Sequence, residues 1–231
     1  MFSIIIIACV LVLLFLIWAS ADIRSKVYVK SLCKVTCKEK QVAITFDDGP
    51  SENTLKVLEV LKKYNAKATF FLVGENIKAN VDKVKSIIDN GHSVGNHSWS
   101  HSSLLPIRPV DVIAKEMLDT NKALSDVTHS ENLLFRPPFG VTNPLITKAL
   151  MKTHLVSIGW SVRSFDTLSH ISRKIIRNRV VRQAKPGAII LLHDRVKNAD
   201  LLLDLVLSDL SSQGYKFTTV EELMKSDIYE K

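Results

Sequence analysis

From about residue 41 onward, short apolar segments alternate with amphipathic segments of helical period. Val42–Phe46 is apolar and largely β-branched and is followed at Gly49-Pro50 by a turn, after which leucines recur at helical spacing over residues 52–64. Parallel strands need a crossover connection between them, and the helices supply it here. About seven strand-helix units follow one another, without a Gly-x-Gly-x-x-Gly fingerprint after the first strand. The pattern predicts an α/β fold whose parallel sheet is a closed or nearly closed barrel rather than an open dinucleotide-binding sheet.

The same periodicities place the individual elements. Strands are predicted at residues 42–46, 68–73, 93–95, 133–135, 155–160, 188–192 and 216–218. Helices are predicted at residues 52–64, 79–90, about 109–126, 143–152, 172–184 and 199–211, with a short terminal helix after the last strand.

The basic charge of the chain does not indicate a nucleic-acid partner. The 31 basic and 23 acidic residues give a formal net charge of +8, but the basic residues are scattered. Pairs such as Lys62-Lys63 and Arg173-Lys174 lie on predicted helices without interleaved aromatic residues. We therefore expect a solvated basic surface and no nucleic-acid site. The length of the chain predicts one folded domain, and the sequence leaves the oligomeric state open.

The first segment predicts a membrane element. Phe2–Ala21 is almost uninterruptedly apolar and long enough to span a bilayer. Ala19-Ser20-Ala21 matches a signal-peptide cleavage pattern, but the basic region that normally precedes such a peptide is missing, which favours an uncleaved single-pass anchor. Export would place the rest of the chain on the extracytoplasmic side, although basic residues after the span, at Arg24, Lys26 and Lys30, argue against that orientation.

Two adjacent carboxylates, Asp47 and Asp48, come directly after the first predicted strand. In a turn just past a strand both side chains can reach one cavity, where one can bind a metal and the other act as a base. For the tetrapeptide alone, a solvated turn is an equal alternative. In a barrel, however, the carboxyl ends of the strands hold the site, and most of the unusual polar residues of this chain fall just after predicted strands.

Two histidines, His97 and His101, follow the third predicted strand. A spacing of four residues on a helical turn would bring both imidazoles to one face. Alone the pair is a weak signal, but with Asp48 it makes a three-ligand set that leaves positions for water and substrate. Zn²⁺ is the first expectation, and Co²⁺, Mn²⁺ and Ni²⁺ suit the same ligands.

Three further polar residues lie after later strands. Arg136 precedes two prolines that stiffen its loop, so its guanidinium can keep a carboxylate ionised and oriented; alternatively, it can be a surface residue. His193 follows a strand of four aliphatic residues and can donate a proton to a leaving group, or it can be structural. Asp166 can hold such a histidine through its second nitrogen and raise its pKa.

The motifs Thr-Phe-Asp-Asp-Gly-Pro, His-Ser-x-x-His, Arg-Pro-Pro-Phe-Gly and Leu-Leu-His, in this order and spacing, resemble those of the polysaccharide deacetylases, the NodB-like carbohydrate esterase family four. The resemblance covers residues 40–225. It implies a distorted (β/α)7 barrel and metal-dependent removal of acetyl groups from N-acetylated, sometimes O-acetylated, polysaccharides. Together with the apolar first segment, it predicts a transmembrane anchor or signal-anchor at residues 1–22, a linker at 23–40 and a catalytic domain at 41–231.

The resemblance also implies roles for single residues. Asp47 matches the general base and Arg136 its orienting partner, whereas His193 matches the general acid and Asp166 its tuning carboxylate. Phe139 stands where tyrosine is usual and would aim a backbone N–H at the oxyanion, and Leu191 would line the acetyl pocket. Asp48, His97 and His101 match the metal ligands.

The chain departs from the family pattern at two positions. Arg163 stands where an aspartate is frequent, and Thr167 stands where a tryptophan usually walls the acetyl groove. Arg163 can pair with Asp166 or face an anionic group of the polymer. Two alternatives to N-deacetylation stay open: an O-acetyl esterase that uses the same residues, and a membrane-tethered carbohydrate-binding pseudoenzyme.

Overall fold

The structure is a computed structural model that describes residues 1–229. The helices are α1 (Phe2–Ala21), α2 (Thr54–Lys63), α3 (Gly74–Ala79), α4 (Val81–Asp89), α5 (Val110–Thr128), α6 (Pro144–Thr153), α7 (Arg173–Gln183), α8 (Ala199–Ser212) and α9 (Val220–Tyr229). The strands are β1 (Gln41–Gly49), β2 (Thr69–Leu72), β3 (Ser93–Asn96), β4 (Leu134–Phe135), β5 (Val156–Ser157), β6 (Val162–Arg163), β7 (Ala188–His193) and β8 (Lys216–Thr218). Short 3₁₀ turns occupy Leu105–Ile107 and Pro138–Gly140.

The strands form one parallel sheet with β1 near its centre. Seven of them lie in the order β5-β4-β3-β2-β1-β7-β6, and β8 pairs with the first residues of β1. Within the described residues β5 and β6 are not paired with each other, so the barrel is not fully closed by its own strands. The predicted distorted (β/α)7 barrel with an apolar helix before it is confirmed.

Side chains of β1 alternate between two environments, as the two-residue period of a strand requires. Val42, Ile44 and Phe46 point into the larger core between sheet and helices, whereas Ala43 belongs to the core inside the barrel. Thr45 shares this inner side, because its hydroxyl lies 2.7 Å from the guanidinium of a buried arginine described below. The inner side of β1 thus carries polar groups toward its carboxyl end.

Two predicted elements differ from the structure. The helix predicted at residues 79–90 begins later, because Asn80 leaves the helical conformation and separates α4 from α3, a helix that was not predicted. The strand predicted at residues 155–160 is reduced to β5 and is paired on its free edge by the N-terminal segment. Leu32 donates its backbone N–H to Ser157 and accepts that of Gly159, both at 2.9 Å.

The segment before β1 lies against the barrel. Ile23, Cys33 and Val35 are buried in the inner core, and the Val35 N–H bonds the carbonyl of Gly187 at 2.9 Å. This segment therefore helps to close the side of the sheet between β5 and β7. The domain boundaries predicted from sequence stay a prediction.

Helix α1 is long and apolar enough to cross a membrane, with a mean hydropathy of 3.1 over its most apolar window. A signal sequence would meet the same criterion. Nearly all of the helix is exposed, but Ala19 in its last turn is fully buried. The end of α1 is thus fixed against the folded domain.

Candidate active site at the carboxyl ends of the strands

Asp47 and Asp48 lie at the end of β1 and are both buried. The pairing of β1 with β2 is irregular between Asp47 and Gly49, and Asp48 has a φ of 71°, so the two side chains are not held in simple strand alternation. The side-chain amide of Asn76 donates to the Asp48 carbonyl at 3.0 Å and fixes this conformation. A local departure from strand geometry therefore lets both carboxylates reach one cavity.

His97 and His101 approach Asp48 from the loop after β3. Asp48 Oδ1 lies 3.4 Å from His97 Nε2 and 3.2 Å from His101 Nε2. Candidate ligand atoms from these three residues all lie within 4.8 Å of one another. Imidazole nitrogens and a carboxylate at such separations suit a divalent metal such as Zn²⁺, and the three protein ligands leave positions for water and substrate.

The expectation that the two histidines share a helical turn is wrong. Residues 97–101 form a loop in which Ser98 and His101 have positive φ values of 63° and 50°. Side chains replace the bonds of a helix: Ser98 N–H donates to Asn96 Oδ1 at 2.9 Å, and His101 N–H donates to Ser98 Oγ at 3.1 Å. The loop still places the imidazole centroids 4.8 Å apart.

The protonation states of this group suit metal binding. Burial raises the pKa of Asp48, but the hydrogen bond and charge of His97, the charge of His193 and the hydrogen bond from Arg195 outweigh it and hold the pKa well below its usual range. Burial and the neighbouring His97 lower the pKa of His101 to about 4. A carboxylate and a neutral imidazole are the ionisation states that a metal ion requires of its ligands.

Arg136 is the largest fully buried side chain in the described structure, and it holds Asp47. Its Nη1 lies 2.7 Å from Asp47 Oδ1, and its other nitrogens donate to the carbonyls of Ile158 at 3.2 Å and Gly159 at 2.9 Å. The Arg136 carbonyl lies 2.7 Å from His97 Nδ1. One residue thus fixes both the Asp47 carboxylate and, through its backbone, the orientation of a candidate ligand.

His193 ends β7 directly beside Asp47, its register partner on β1. Its Nδ1 lies 2.8 Å from Asp166 Oδ1, and its Nε2 lies 4.0 Å from Asp48 Oδ2. Burial lowers the pKa of His193, but the hydrogen bond and charge of Asp166 outweigh it and raise the pKa above its usual value. Arg163 does not pair with Asp166; its guanidinium lies over the rings of Trp160 and Phe165.

A cavity of about 160 Å³ connects these groups. Leu191 lines it from β7, and Phe139 lines it from the turn after β4, with its ring centroid 4.6 Å from that of His101. Phe139 is half exposed and has a φ of 59°. The complete lining is Asp47, Asp48, His97, His101, Phe139, Trp160, Arg163, Thr167, Leu191, His193 and Arg195.

The model of one family, described as polysaccharide deacetylase, matches residues 34–157, more than half of the chain. The chain belongs to the polysaccharide deacetylase family. Among curated relatives, the peptidoglycan-N-acetylglucosamine deacetylase PgdA of Listeria monocytogenes is 38% identical over 212 residues, which cover 88% of this chain and 44% of the relative. The peptidoglycan-N-acetylmuramic acid deacetylase PdaA of Bacillus subtilis is 35% identical over 191 residues, 81% of this chain and 72% of the relative.

Solved structures of family members share the fold. A wild-type protein of Bacillus anthracis, described as a CE4 family pseudoenzyme, superposes with a TM-score of 0.77 at 30% identity, covering 84% of this chain and 68% of that one. Family membership alone therefore does not establish catalysis. The chain also spans less than half of the length of the Listeria relative.

Two residues that lie at or beside the candidate site, Arg195 and Asp194, were not predicted from the sequence. Arg195 Nε lies 2.6 Å from Asp48 Oδ2, whereas the candidate ligands His97 and His101 approach the other oxygen, Oδ1. Asp194 is fully buried beneath the Gly49 turn, where Thr54 donates to its Oδ2 at 2.5 Å; burial raises its pKa to about 6. Their position directly after His193 was the one available signal.

Proposed function

We propose that the chain is a metal-dependent hydrolase that removes acetyl groups from N-acetylated polysaccharide of the cell envelope. The observation that carries the proposal is the grouping of three units around one cavity. These units are the metal-binding candidates (Asp48, His97, His101), the Asp47–Arg136 pair and the His193–Asp166 pair. Relatives named for peptidoglycan deacetylation support the choice of substrate class.

In the proposed reaction Asp47 is the general base. Its Oδ1 accepts a hydrogen bond from the Arg136 guanidinium at 2.7 Å, and its Oδ2 lies 3.7 Å from His97 Nε2, which keeps it beside the metal-binding candidates. A bound divalent metal would supply Lewis acidity that lowers the pKa of water and polarises a carbonyl. Asp47 then accepts the proton of the water that attacks the acetamide carbon.

His193 is the proposed general acid. Asp166 binds its Nδ1 and raises its pKa, so Nε2 carries a proton toward the cavity. That proton goes to the nitrogen of the departing sugar amine as the carbon–nitrogen bond breaks and acetate forms. The backbone N–H of Phe139 is proposed to hold the oxyanion, and Leu191 to contact the acetyl methyl group.

Helix α1 is proposed to be retained as a single-pass anchor, with the catalytic domain on the extracytoplasmic side where the relatives' polymer lies. The proposed metal is a divalent cation held by Asp48, His97 and His101. Zn²⁺ is the first choice, since two imidazoles and one carboxylate are common zinc ligands.

The test is acetate release from N-acetylchitooligosaccharide and from peptidoglycan fragments, together with metal content by mass spectrometry. We expect chelator-sensitive acetate release by the wild-type protein. Asp48→Asn and His97→Ala should lose both bound metal and activity, whereas Asp47→Asn should keep the metal and lose activity by roughly 10²-fold or more. The matched control is His129→Asn, because His129 is exposed at the end of α5 in a left-handed conformation that asparagine also adopts.

Two results would oppose the proposal. Metal binding without acetate release from any N-acetylated substrate would favour a carbohydrate-binding pseudoenzyme. Release from O-acetylated polysaccharide alone would favour the esterase, and His193→Ala should then cost less, because an alcohol leaves more readily than an amine.

A further inference from the structure

The last turn of α1 contacts the barrel beside the candidate active site. The Ser20 carbonyl accepts the backbone N–H of Thr142 at 3.0 Å, and the Ala19 carbonyl accepts the hydroxyl of Ser25 at 2.8 Å. Thr142 lies two residues after Gly140, the end of the turn that carries Phe139. A bilayer that contains α1 would therefore end close to the mouth of the catalytic cavity.

A second cavity, of about 260 Å³, lies between the end of α1 and the barrel. Trp18 and Asp22 line it on the α1 side, and Arg179 lines it on the α7 side. Trp160 and Arg163 line both this cavity and the catalytic cavity. The two spaces are therefore neighbours that share these two side chains; we call the second one the junction cavity.

The junction cavity carries excess positive charge. Arg163 and Arg179 stack on the Phe165 ring, with guanidinium carbons 5.0 and 4.5 Å from its centroid, and Arg179 Nε donates to the Arg163 carbonyl at 2.8 Å. Among the side chains that the structure describes, those of residues 1–226, neither guanidinium has a carboxylate within 4.0 Å, and Asp22 is bonded by Arg24 at 2.8 Å. Two arginines held side by side without a counter-ion suit a phosphate, which guanidinium groups bind bidentately.

The position of this charge selects the kind of phosphate. Trp18 stands in the last turn of α1, where tryptophan marks the boundary between hydrocarbon and headgroups. A phosphate at Arg163 and Arg179 would lie at the membrane surface and next to the sugar in the catalytic cavity. Arg24 also lines the junction cavity, where its guanidinium is paired with Asp22.

We propose that the substrate is an N-acetylated sugar joined through phosphate or pyrophosphate to a membrane lipid. The phosphate binds Arg163 and Arg179 in the junction cavity, the lipid chain lies along α1, and the acetamido group enters the catalytic cavity. The inference rests on the proposed deacetylase function and on retention of α1.

The test uses the full chain with its metal in phosphatidylcholine nanodiscs. Acetate release is measured from a polyprenyl pyrophosphate that carries N-acetylglucosamine and from soluble N-acetylchitotetraose. The variant is Arg179→Gln, since Arg179 lines the junction cavity but not the catalytic cavity. The control is Arg182→Gln, which removes the same charge from an exposed position of α7.

We expect Arg179→Gln to lower kcat/KM for the lipid-linked sugar about tenfold, which corresponds to about 1.4 kcal/mol, and to leave the soluble substrate unchanged. Arg182→Gln should change neither. Equal loss on both substrates, or no loss on either, would overturn the inference. The measurement is repeated in nanodiscs that also contain phosphatidylglycerol. A loss seen only there would likewise overturn the inference, because the anion bound by Arg179 would then be the headgroup of a bulk lipid. Acetate release from the soluble substrate alone would defeat this inference and leave the proposed function intact; release from neither would defeat both.

Discussion

Asp166 binds His193 at two points: its Oδ1 lies 2.8 Å from the imidazole Nδ1, and its Oδ2 accepts the backbone N–H of His193 at 2.7 Å. A further bond from Ser164 Oγ to Asp166 Oδ1, at 2.8 Å, fixes the carboxylate itself. The imidazole is therefore held in one orientation, with Nε2 toward the cavity, and its pKa is raised.

Replacement of Asp166 by asparagine should shift the pH dependence of deacetylation. A general acid acts only while it is protonated, so the raised pKa of His193 extends activity to higher pH. Asp166→Asn keeps the size of the side chain but removes its charge, which lowers that pKa. We expect the alkaline limb of the kcat profile to move down by on the order of one pH unit. Asp126→Asn, at an exposed site on α5, is the control; a uniform loss of rate at every pH would mean that Asp166 has only a structural role.

Removal of Arg136 should destabilise the fold chiefly through Asp47. Arg136 is fully buried and Asp47 nearly so, and an ion pair broken on one side leaves an uncompensated buried charge. We expect Arg136→Met to lower the free energy of unfolding by about 3–5 kcal/mol. Urea titrations of the chelator-treated full chain in detergent would measure it.

The matched variant for that experiment is the double substitution Asp47→Asn with Arg136→Met. The double variant should have a higher free energy of unfolding than Arg136→Met alone, because it no longer buries the unpaired Asp47 carboxylate. The recovery is partial, since the hydrogen bonds from Arg136 to the Ile158 and Gly159 carbonyls are lost in both variants. Simple addition of the two single effects would contradict the coupling between Asp47 and Arg136.

The fold was predictable where a short apolar run ends in a polar residue. Val42–Phe46 followed by Asp47, and the run before His193, predict buried strands, and the register of β1 with β7 then places Asp47 opposite His193. Parallel strands align such ends at one mouth, so linear order along the chain becomes proximity in space. This is why so many of the candidate site residues can be chosen from sequence.

Local exceptions and long-range partners were not predictable. In the loop from His97 to His101, backbone N–H groups donate to the side chains of Asn96 and Ser98 instead of forming helical bonds. The four-residue spacing of the two histidines is the same in a loop and in a helix, so the sequence pattern does not distinguish them. Asp194 contacts Thr54, 140 residues earlier, and its burial follows only from the assembled barrel. Arg195 stands two residues after His193 in the sequence, but its contact with Asp48 depends on where one flexible side chain points.

Metal binding should stabilise the folded chain. A ligand at 100 times its dissociation constant adds about 2.7 kcal/mol, which for a chain of this size corresponds to a rise in Tm of roughly 5–10 °C. We expect this rise when Zn²⁺ is restored to the chelated wild-type protein and to His129→Asn, but not to His101→Ala. Equal shifts in all three, measured by calorimetry, would place the stabilising zinc elsewhere.

The aromatic ring at position 139 should matter more than a hydroxyl on it. The Phe139 ring contacts the His101 ring, and such contacts contribute about 0.5–1.5 kcal/mol. Phe139→Ala should therefore lower kcat/KM by about two- to tenfold, whereas Phe139→Tyr should match the wild type. The left-handed φ is equally unfavourable for alanine and phenylalanine, so backbone strain does not bias the comparison. Equal rates for the alanine variant and the wild type would contradict a role for the ring.

Arg195 should weaken metal binding at the site that it contacts. Its Nε lies 2.6 Å from Asp48 Oδ2, so the guanidinium both shares the charge of a candidate ligand and repels a divalent cation. Because the side chain is about half exposed, solvent screens the effect, and we expect Arg195→Ala to tighten Zn²⁺ binding by roughly fivefold, close to 1 kcal/mol. Arg195→Lys, which keeps the charge, should bind zinc like the wild type. Competition titrations with a zinc chelator at low and high salt would measure both variants, and the difference between them should shrink as ionic strength rises. Weaker zinc binding by the alanine variant would mean instead that Arg195 holds Asp48 in its binding position.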